Sequence, residues 1–164
     1  MEKIKQIEEV KSLGLGNQGL LNGQNGSRLG MSGMIGSLFG GSNYDGYKVV
    51  TTEHTYLILI DNGQSCCESW GYLSTNDDVN DFVGANLLDF KLTDTALNTK
   101  KLSEESRYIV WNGKIDLDAG GIQFVDIETD KGVLQFAVYN SHNGYYGHPI
   151  LIAKDNEILL SDTL

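Results

Sequence analysis

Apolar residues recur at every third position near the N-terminus: Ile4, Ile7, Val10 and Leu13 within EKIKQIEEVKSL. That spacing predicts a short amphipathic helix over 2–13, closed by Gly14. From residue 44 onward the pattern is β. Lys48–Thr52 is rich in β-branched residues, and Thr55–Ile60 is an unbroken apolar run, as in a strand buried on both faces. Asp61-Asn62-Gly63 follows as a turn. Leu87–Thr93 alternates like a half-buried strand. Further strands are predicted at 108–111, 122–129 and 133–139, the last two joined by the tight turn Asp130-Lys131-Gly132. Ile150–Lys154 reads as a final long strand, which Asp155-Asn156-Glu157 turns into a short one at 158–160. Asp77–Val83 is predicted as a short helix, capped by Thr75 or Asn76, with acids in its first turn. Residues 94–106 are polar and predicted as a loop. The expected class is α+β: mainly antiparallel sheet, a short N-terminal helix, and one or two further short helices. There is no βαβ alternation and no repeat.

Residues 14–42 interrupt this pattern. Ten of these 29 residues are Gly, which disfavours a helix. Flexible linkers are polar, whereas this stretch holds Leu15, Leu20, Leu21, Leu29, Met31, Met34, Ile35, Leu38 and Phe39. An ordered arm is expected, packed on its own domain or on a second copy of the chain. The Gly30, Gly33, Gly36 spacing is no phosphate loop, because no Lys-Ser/Thr follows and no clear strand precedes it. The expected organisation is an N-terminal helix plus Gly-rich arm over 1–42, then a single acidic β-rich domain over 43–164.

Charge sharpens the picture. The chain has 164 residues and a formal charge of −10. Residues 43–164 carry 19 acids against 8 bases, a surplus of 11 negative charges. Such a surface repels nucleic acid and favours basic partners. No apolar run approaches the roughly 20 residues that cross a bilayer, and the N-terminus lacks the apolar core of a secretory signal. A soluble intracellular protein is expected, with no direct nucleic-acid or membrane binding.

Candidate chemistry sits in two stretches. Cys66-Cys67-Glu68 holds both cysteines, and His142-Asn143-Gly144-Tyr145-Tyr146-Gly147-His148 holds two of the three histidines. Neighbouring cysteines rarely bridge without strain, so thiols are expected. Strands on both sides predict that 140–149 is a hairpin loop, with His142 and His148 facing each other across its base. Thiolate and imidazole together select zinc. One ligand set is Cys66, Cys67, His142 and His148; the other uses a single cysteine plus an acid, Asp61 or Glu68. A Cys-His nucleophile pair is the enzymatic alternative. His54 reads as an ordinary strand histidine. Trp70, Tyr72, Tyr145 and Tyr146 are candidate interface anchors, rimmed by Asp77, Asp78, Asp81, Asp116 and Asp118.

The runs DNGQSCCESWGYLSTNDD (61–78), Val83-Gly84-Ala85, TDTALN (93–98) and YNSHNGYYGHP (139–149) resemble a small domain family of bacteriophages and prophages of Gram-positive bacteria, mainly of unknown function. The resemblance covers roughly 44–154 and leaves out the Gly-rich arm. It implies that Cys66, Cys67, His142 and His148 share one site, with zinc as the cofactor. It also implies residence in the cytoplasm of a bacterial host. Small acidic phage proteins often act against host defences, and the chain resembles anti-CRISPR proteins that bind basic channels of RNA-guided nucleases. The expected function is a non-enzymatic binding protein with a structural zinc, acting on a CRISPR effector nuclease. The alternatives are a zinc- or Cys-dependent hydrolase of a small molecule or nucleotide, and a virion or morphogenesis protein self-associating through the arm.

Overall fold

The computed structural model describes residues 1–14, 43–105 and 109–164. The elements, in chain order, begin with β1 (Ile4–Gly14), β2 (Asn43–Thr51), β3 (Thr55–Asp61) and β4 (Glu68–Ser74). A 3-10 helix (Val79–Phe82), β5 (Leu87–Thr93) and α1 (Thr99–Glu105) follow. The remainder is β6 (Val110–Trp111), β7 (Lys114–Ile115), β8 (Gly121–Thr129), β9 (Gly132–His142), β10 (Pro149–Lys154) and β11 (Glu157–Thr163). The protein is thus mainly antiparallel β, with one short α-helix and one 3-10 turn among the described residues. The Gly-rich arm expected over 14–42 lies, from residue 15, outside them.

The strands form a five-stranded sheet, β1-β2-β3-β10-β11, a four-stranded sheet, β4-β9-β8-β5, and a small two-stranded hairpin, β6-β7. Every neighbouring pair is antiparallel. The apolar run at 55–60 explains the stacking, because successive strand residues point to opposite faces. Tyr56, Ile58 and Ile60 join Val125, Ile127, Leu134, Phe136 and Val138 of the other sheet in one core. Leu57 and Leu59 belong to a second core with Tyr44, Leu151 and Ala153. β3 is therefore apolar on both faces. Burying a side chain such as Phe136 stabilises the fold by roughly 1.5–3 kcal/mol.

The N-terminal segment is a strand, not the expected helix, and its three-residue spacing has a different cause. Pairing of β1 with β2 slips between Ile4 and Gln6 and again between Val10 and Leu13. Each slip inserts one extra residue, a β-bulge. The first lets Ile4 and Ile7, three apart, both pack on the core between the sheets. The second, with Ser12 at φ 51°, does the same for Val10 and Leu13 on the opposite face. Two bulges and one change of face thus imitate a helical period.

Two further elements depart from expectation. β4 was not predicted, and α1 lies inside the stretch expected to be a loop. Asn98 caps α1, its side-chain oxygen accepting from the Lys101 N–H at 3.0 Å. Leu102, the buried residue of α1, packs with Leu73, Phe124, Ala137 and Tyr139 on the outer face of the four-stranded sheet. Gln135, fully buried in β9, ties down the approach to α1. It accepts from Leu97 N–H at 2.9 Å and donates to the Thr95 carbonyl at 3.0 Å. The predicted helix at 77–83 is the 3-10 turn, and its cap is Asp78, which accepts from Asn80 N–H.

The sheet assignment also changes the loop at 143–148. β9 belongs to one sheet and β10 to the other, so this stretch is a crossover and not a hairpin. The 62–67 stretch, from β3 to β4, crosses between the same two sheets.

Candidate functional site

The two crossovers meet at one corner of the stack. His148, at the end of the second, is buried, with 5% of its side chain exposed; the Glu68 side chain, at the end of the first, is fully buried. His148 Nδ1 lies 2.9 Å from the Asp61 carbonyl oxygen, which can only accept, so Nδ1 carries a proton. Nε2 lies 2.7 Å from Glu68 Oε2. One proton is shared across that contact, on ring or carboxyl. The other Glu68 oxygen accepts from the Ser65 N–H. Trp70 stacks on the imidazole with ring centroids 5.4 Å apart, and its indole N–H donates to Gln64 at 3.0 Å. Strand pairing sets this up, because β4 begins at Glu68 directly opposite His142 of β9.

The four expected zinc ligands fall into different surroundings. Cys66 and Cys67 are exposed on the first crossover, with their sulfurs 2.8 Å apart. The Cys67 thiol is pushed up by its hydrogen bond to Cys66 and by the charge of that neighbour. His142 is buried, and its Nδ1 accepts from Gly144 N–H at 2.9 Å. That bond leaves the ring proton on Nε2. Both His148 nitrogens are engaged by protein groups. Among the described residues, one trio of metal-type ligand atoms lies within 4.8 Å of one another, and it is Glu2, Glu53 and His54. Of the second-rank ligands, Glu68 and Asp61 contact His148 directly, so the acids and His148 are brought together and the thiols are not. No hydrogen bond joins a thiol to a histidine among the described residues, and a Cys-His nucleophile pair is not assembled. His54, expected as a plain strand residue, sits in the turn between β2 and β3. Its Nδ1 makes a hydrogen bond of 2.6 Å with the Asp155 carboxylate.

The expected interface residues are spread more widely. Asp77 and Asp78 line an open cleft of about 570 Å³ between β1–β2, β4 and α1. Its wall also carries Glu9, Asp45 and Glu105, two lysines (Lys11 and Lys101), and the aromatics Tyr47, Trp70 and Tyr72. The lysines are spent internally. Lys11 pairs with Glu9 at 3.0 Å and Asp45 at 3.7 Å, and Lys101 with Glu105 at 3.1 Å. Lys11 also lies 4.7 Å from the Tyr72 ring centre, a cation–π contact. The Tyr72 hydroxyl donates to Glu9, and together with Lys11 it holds the Glu9 carboxyl below the usual carboxylate range. Asp77 and Asp78 form no ion pair among the described residues. Tyr47, Glu9, Lys11 and Asp45 escaped the sequence reading because strand pairing and stacking, not local spacing, bring them to the cleft.

Asp81 is exposed on the 3-10 helix. Asp116 and Asp118 lie elsewhere, beyond β7, where Asp118 forms a β-bridge with His142. Tyr145 is 83% exposed at the tip of the second crossover. The Tyr146 carbonyl is held at 2.7 Å by the buried Asn140 amide, which also reaches the Leu164 carbonyl at 3.0 Å.

The chain belongs to the DUF7448 family, a domain of unknown function, whose model matches residues 3–152. The match runs through the Gly-rich arm, which the resemblance had left out. It carries no attribution to phages or to CRISPR inhibition. No curated protein and no solved structure matches the chain.

Proposed function

We propose that this protein is a binding protein whose acidic, aromatic-walled cleft receives a basic segment of a partner protein. One observation carries this reading. Five carboxylates and three aromatic rings line the cleft against two lysines, and both lysines are already paired within it. Carboxylates thus outnumber lysines by three in the cleft, and Asp77 and Asp78, which form no ion pair among the described residues, add their charge to its wall even though Asp78 also caps the 3-10 helix. A partner arginine fits such a wall in two ways at once. Its guanidinium forks onto a carboxylate and its flat face stacks on an aromatic ring. Lys11 over Tyr72 shows the same pairing from within the chain.

A basic channel that holds nucleic acid is a surface of this kind, because carboxylates can stand where phosphates otherwise bind. A host-defence nuclease in the bacterial cytoplasm, and a CRISPR effector in particular, is the partner we propose.

The test has two parts. Binding of an oligoarginine peptide is measured by calorimetry at about 0.1 M and about 1 M salt, where the screening length drops from roughly 10 to 3 Å. Salt-sensitive binding that Asp77→Lys/Asp78→Asn abolishes is expected, the asparagine keeping the cap on Asn80 while removing the charge. Equal affinity at both salts, or in the variant, overturns the cleft reading. DNA cleavage by RNA-guided nucleases is then assayed with increasing protein. Uninhibited cleavage across the effector types overturns the nuclease assignment alone.

A further inference from the structure

The first crossover holds a feature that neither the cleft nor the Glu68–His148 pair uses. Cys66 and Cys67 are adjacent in sequence, both exposed, with their sulfurs 2.8 Å apart. In an extended strand, neighbouring side chains point to opposite faces, which would separate the thiols. Here Cys67 is in the left-handed region, at φ 65°, a conformation uncommon for a residue with a side chain. That turn brings both sulfurs to one side. Exposed as they are, the thiols fill no part of the core. Among the described residues, the hydrogen bond recorded for either sulfur is the one to the other.

The turn that carries them is anchored at both ends. Gly63 N–H donates to the Asp61 side chain at 2.8 Å. The Ser65 N–H donates to Glu68, whose buried carboxyl is fixed by His148. Gln64 accepts from the Trp70 indole at 3.0 Å. The pair is thus held in position by groups that do not depend on it.

We propose that Cys66 and Cys67 form a redox modification site, closing reversibly to a disulfide between neighbours in exchange with a small disulfide of the glutathione class, and that its state is transmitted to Trp70. The Cα atoms of neighbours are about 3.8 Å apart, short of the roughly 4.4–6.8 Å of ordinary bridges. The ring is therefore strained and readily reduced, as labile, regulatory disulfides are. The sequence argument against a structural bridge becomes an argument for a reversible one.

The exchange balances in two steps. The Cys66 thiolate attacks one sulfur of glutathione disulfide; that S–S bond breaks and one glutathione thiolate leaves. Cys67, deprotonated, then attacks the Cys66 sulfur of the mixed disulfide and displaces the second glutathione thiolate. Two protein thiols lose two protons and two electrons, and one glutathione disulfide becomes two thiols. Cys67 is suited to act second, because its sulfur already lies 2.8 Å from that of Cys66. Closing the ring reshapes 64–67, and with it the contact from Gln64 to Trp70. This inference does not rest on what the cleft binds.

The test uses the full chain carrying Trp111→Phe. Trp111 is 71% exposed on the β6–β7 hairpin, and its removal leaves Trp70 as the single tryptophan of the two in the chain. Samples are equilibrated across glutathione redox buffers and quenched with acid. Intact mass is expected to show loss of two hydrogens with no glutathione retained, and both free thiols are lost to a thiol reagent. Trp70 emission is expected to move with the same midpoint and to return on reduction. Cys66→Ser and Cys67→Ser, each with an unchanged thermal melt, are expected to lose both the ring and the emission change, and to accumulate the mixed disulfide instead. Glutathione on both cysteines, covalent dimers, or unreacted thiols across the whole range overturn the site. Ring closure with flat Trp70 emission overturns the coupling.

Discussion

The Glu68–His148 contact joins the two crossovers, and His148→Ala isolates its energetic weight. The substitution removes the group that meets Glu68 Oε2 at 2.7 Å and the donor to the Asp61 carbonyl at 2.9 Å. The Glu68 side chain is fully buried and retains the Ser65 N–H as its donor. Breaking one side of a buried pair in this way costs about 3–5 kcal/mol. For a protein of this size each kcal/mol shifts the melting temperature by roughly 2–4 °C, so a drop of about 6–20 °C is expected. The double variant Glu68→Leu/His148→Phe removes both polar partners and keeps a ring for Trp70 to stack on. Its cost is expected to be well below the sum of the two single variants, because no charge is left stranded. Urea unfolding followed by circular dichroism measures wild type, His148→Ala, the double variant and its two single variants, Glu68→Leu and His148→Phe. A loss below about 1 kcal/mol for His148→Ala, or strict additivity of the two sites, would refute the reasoning.

Three more outcomes are expected. A Cβ on Gly46, which has φ 152°, meets the Ile58 carbonyl oxygen at 2.0 Å, whereas one on Gly132, φ 124°, meets nothing within 4 Å. Gly46→Ala should therefore cost about 2–4 kcal/mol against about 1 for Gly132→Ala; equal losses in urea unfolding would contradict the close approach of β2 to β3. Burial, and then the neighbouring Glu9, pushes the Tyr47 hydroxyl up to about 12 from its ordinary value of 10.0. Its folded-state value is the raised one, so its contribution to stability is complete below pH 10 and is lost as pH rises toward 12. The Tyr47 share of phenolate absorbance, read as wild type minus Tyr47→Phe, should consequently rise together with unfolding, and Tyr47 ionising in a still-folded protein would count against its burial. Any zinc found by elemental analysis of the purified protein should be unchanged in Cys66→Ser and Cys67→Ser, because no three of Cys66, Cys67, His142 and His148 present ligand atoms within 4.8 Å of one another. Stoichiometric zinc that His148→Ala releases would show that these side chains rearrange to meet.

Much of the β architecture was legible from residue pattern alone. β3 followed from its unbroken apolar run, β8 and β9 from alternation around Asp130-Lys131-Gly132, and β10 from Ile150–Lys154. The misreadings have local causes. β1 imitates a helical period because two bulges and a change of face space its apolar residues by three. α1 escaped notice because it buries one residue, Leu102, and has no apolar stripe. β4 was hidden because its first five residues are half-buried and mixed in polarity.

The candidate site divides in the same way. Residue types alone marked Cys66-Cys67-Glu68 and the stretch from His142 to His148 as the places to look, and those are the two crossovers between the sheets. Which side chains meet there is a tertiary matter. Pairing of β4 with β9 and of β3 with β10 places Glu68 and Asp61, not the thiols, against His148. The acidic surplus was likewise plain in the sequence, but its concentration with Tyr47, Trp70 and Tyr72 in one cleft depends on how two sheets and α1 are stacked. Periodicity and residue chemistry act over a few neighbours along the chain, so they determine strands, turns and candidate groups. Contacts between residues far apart in sequence depend on register and sheet assignment, which long-range packing alone decides.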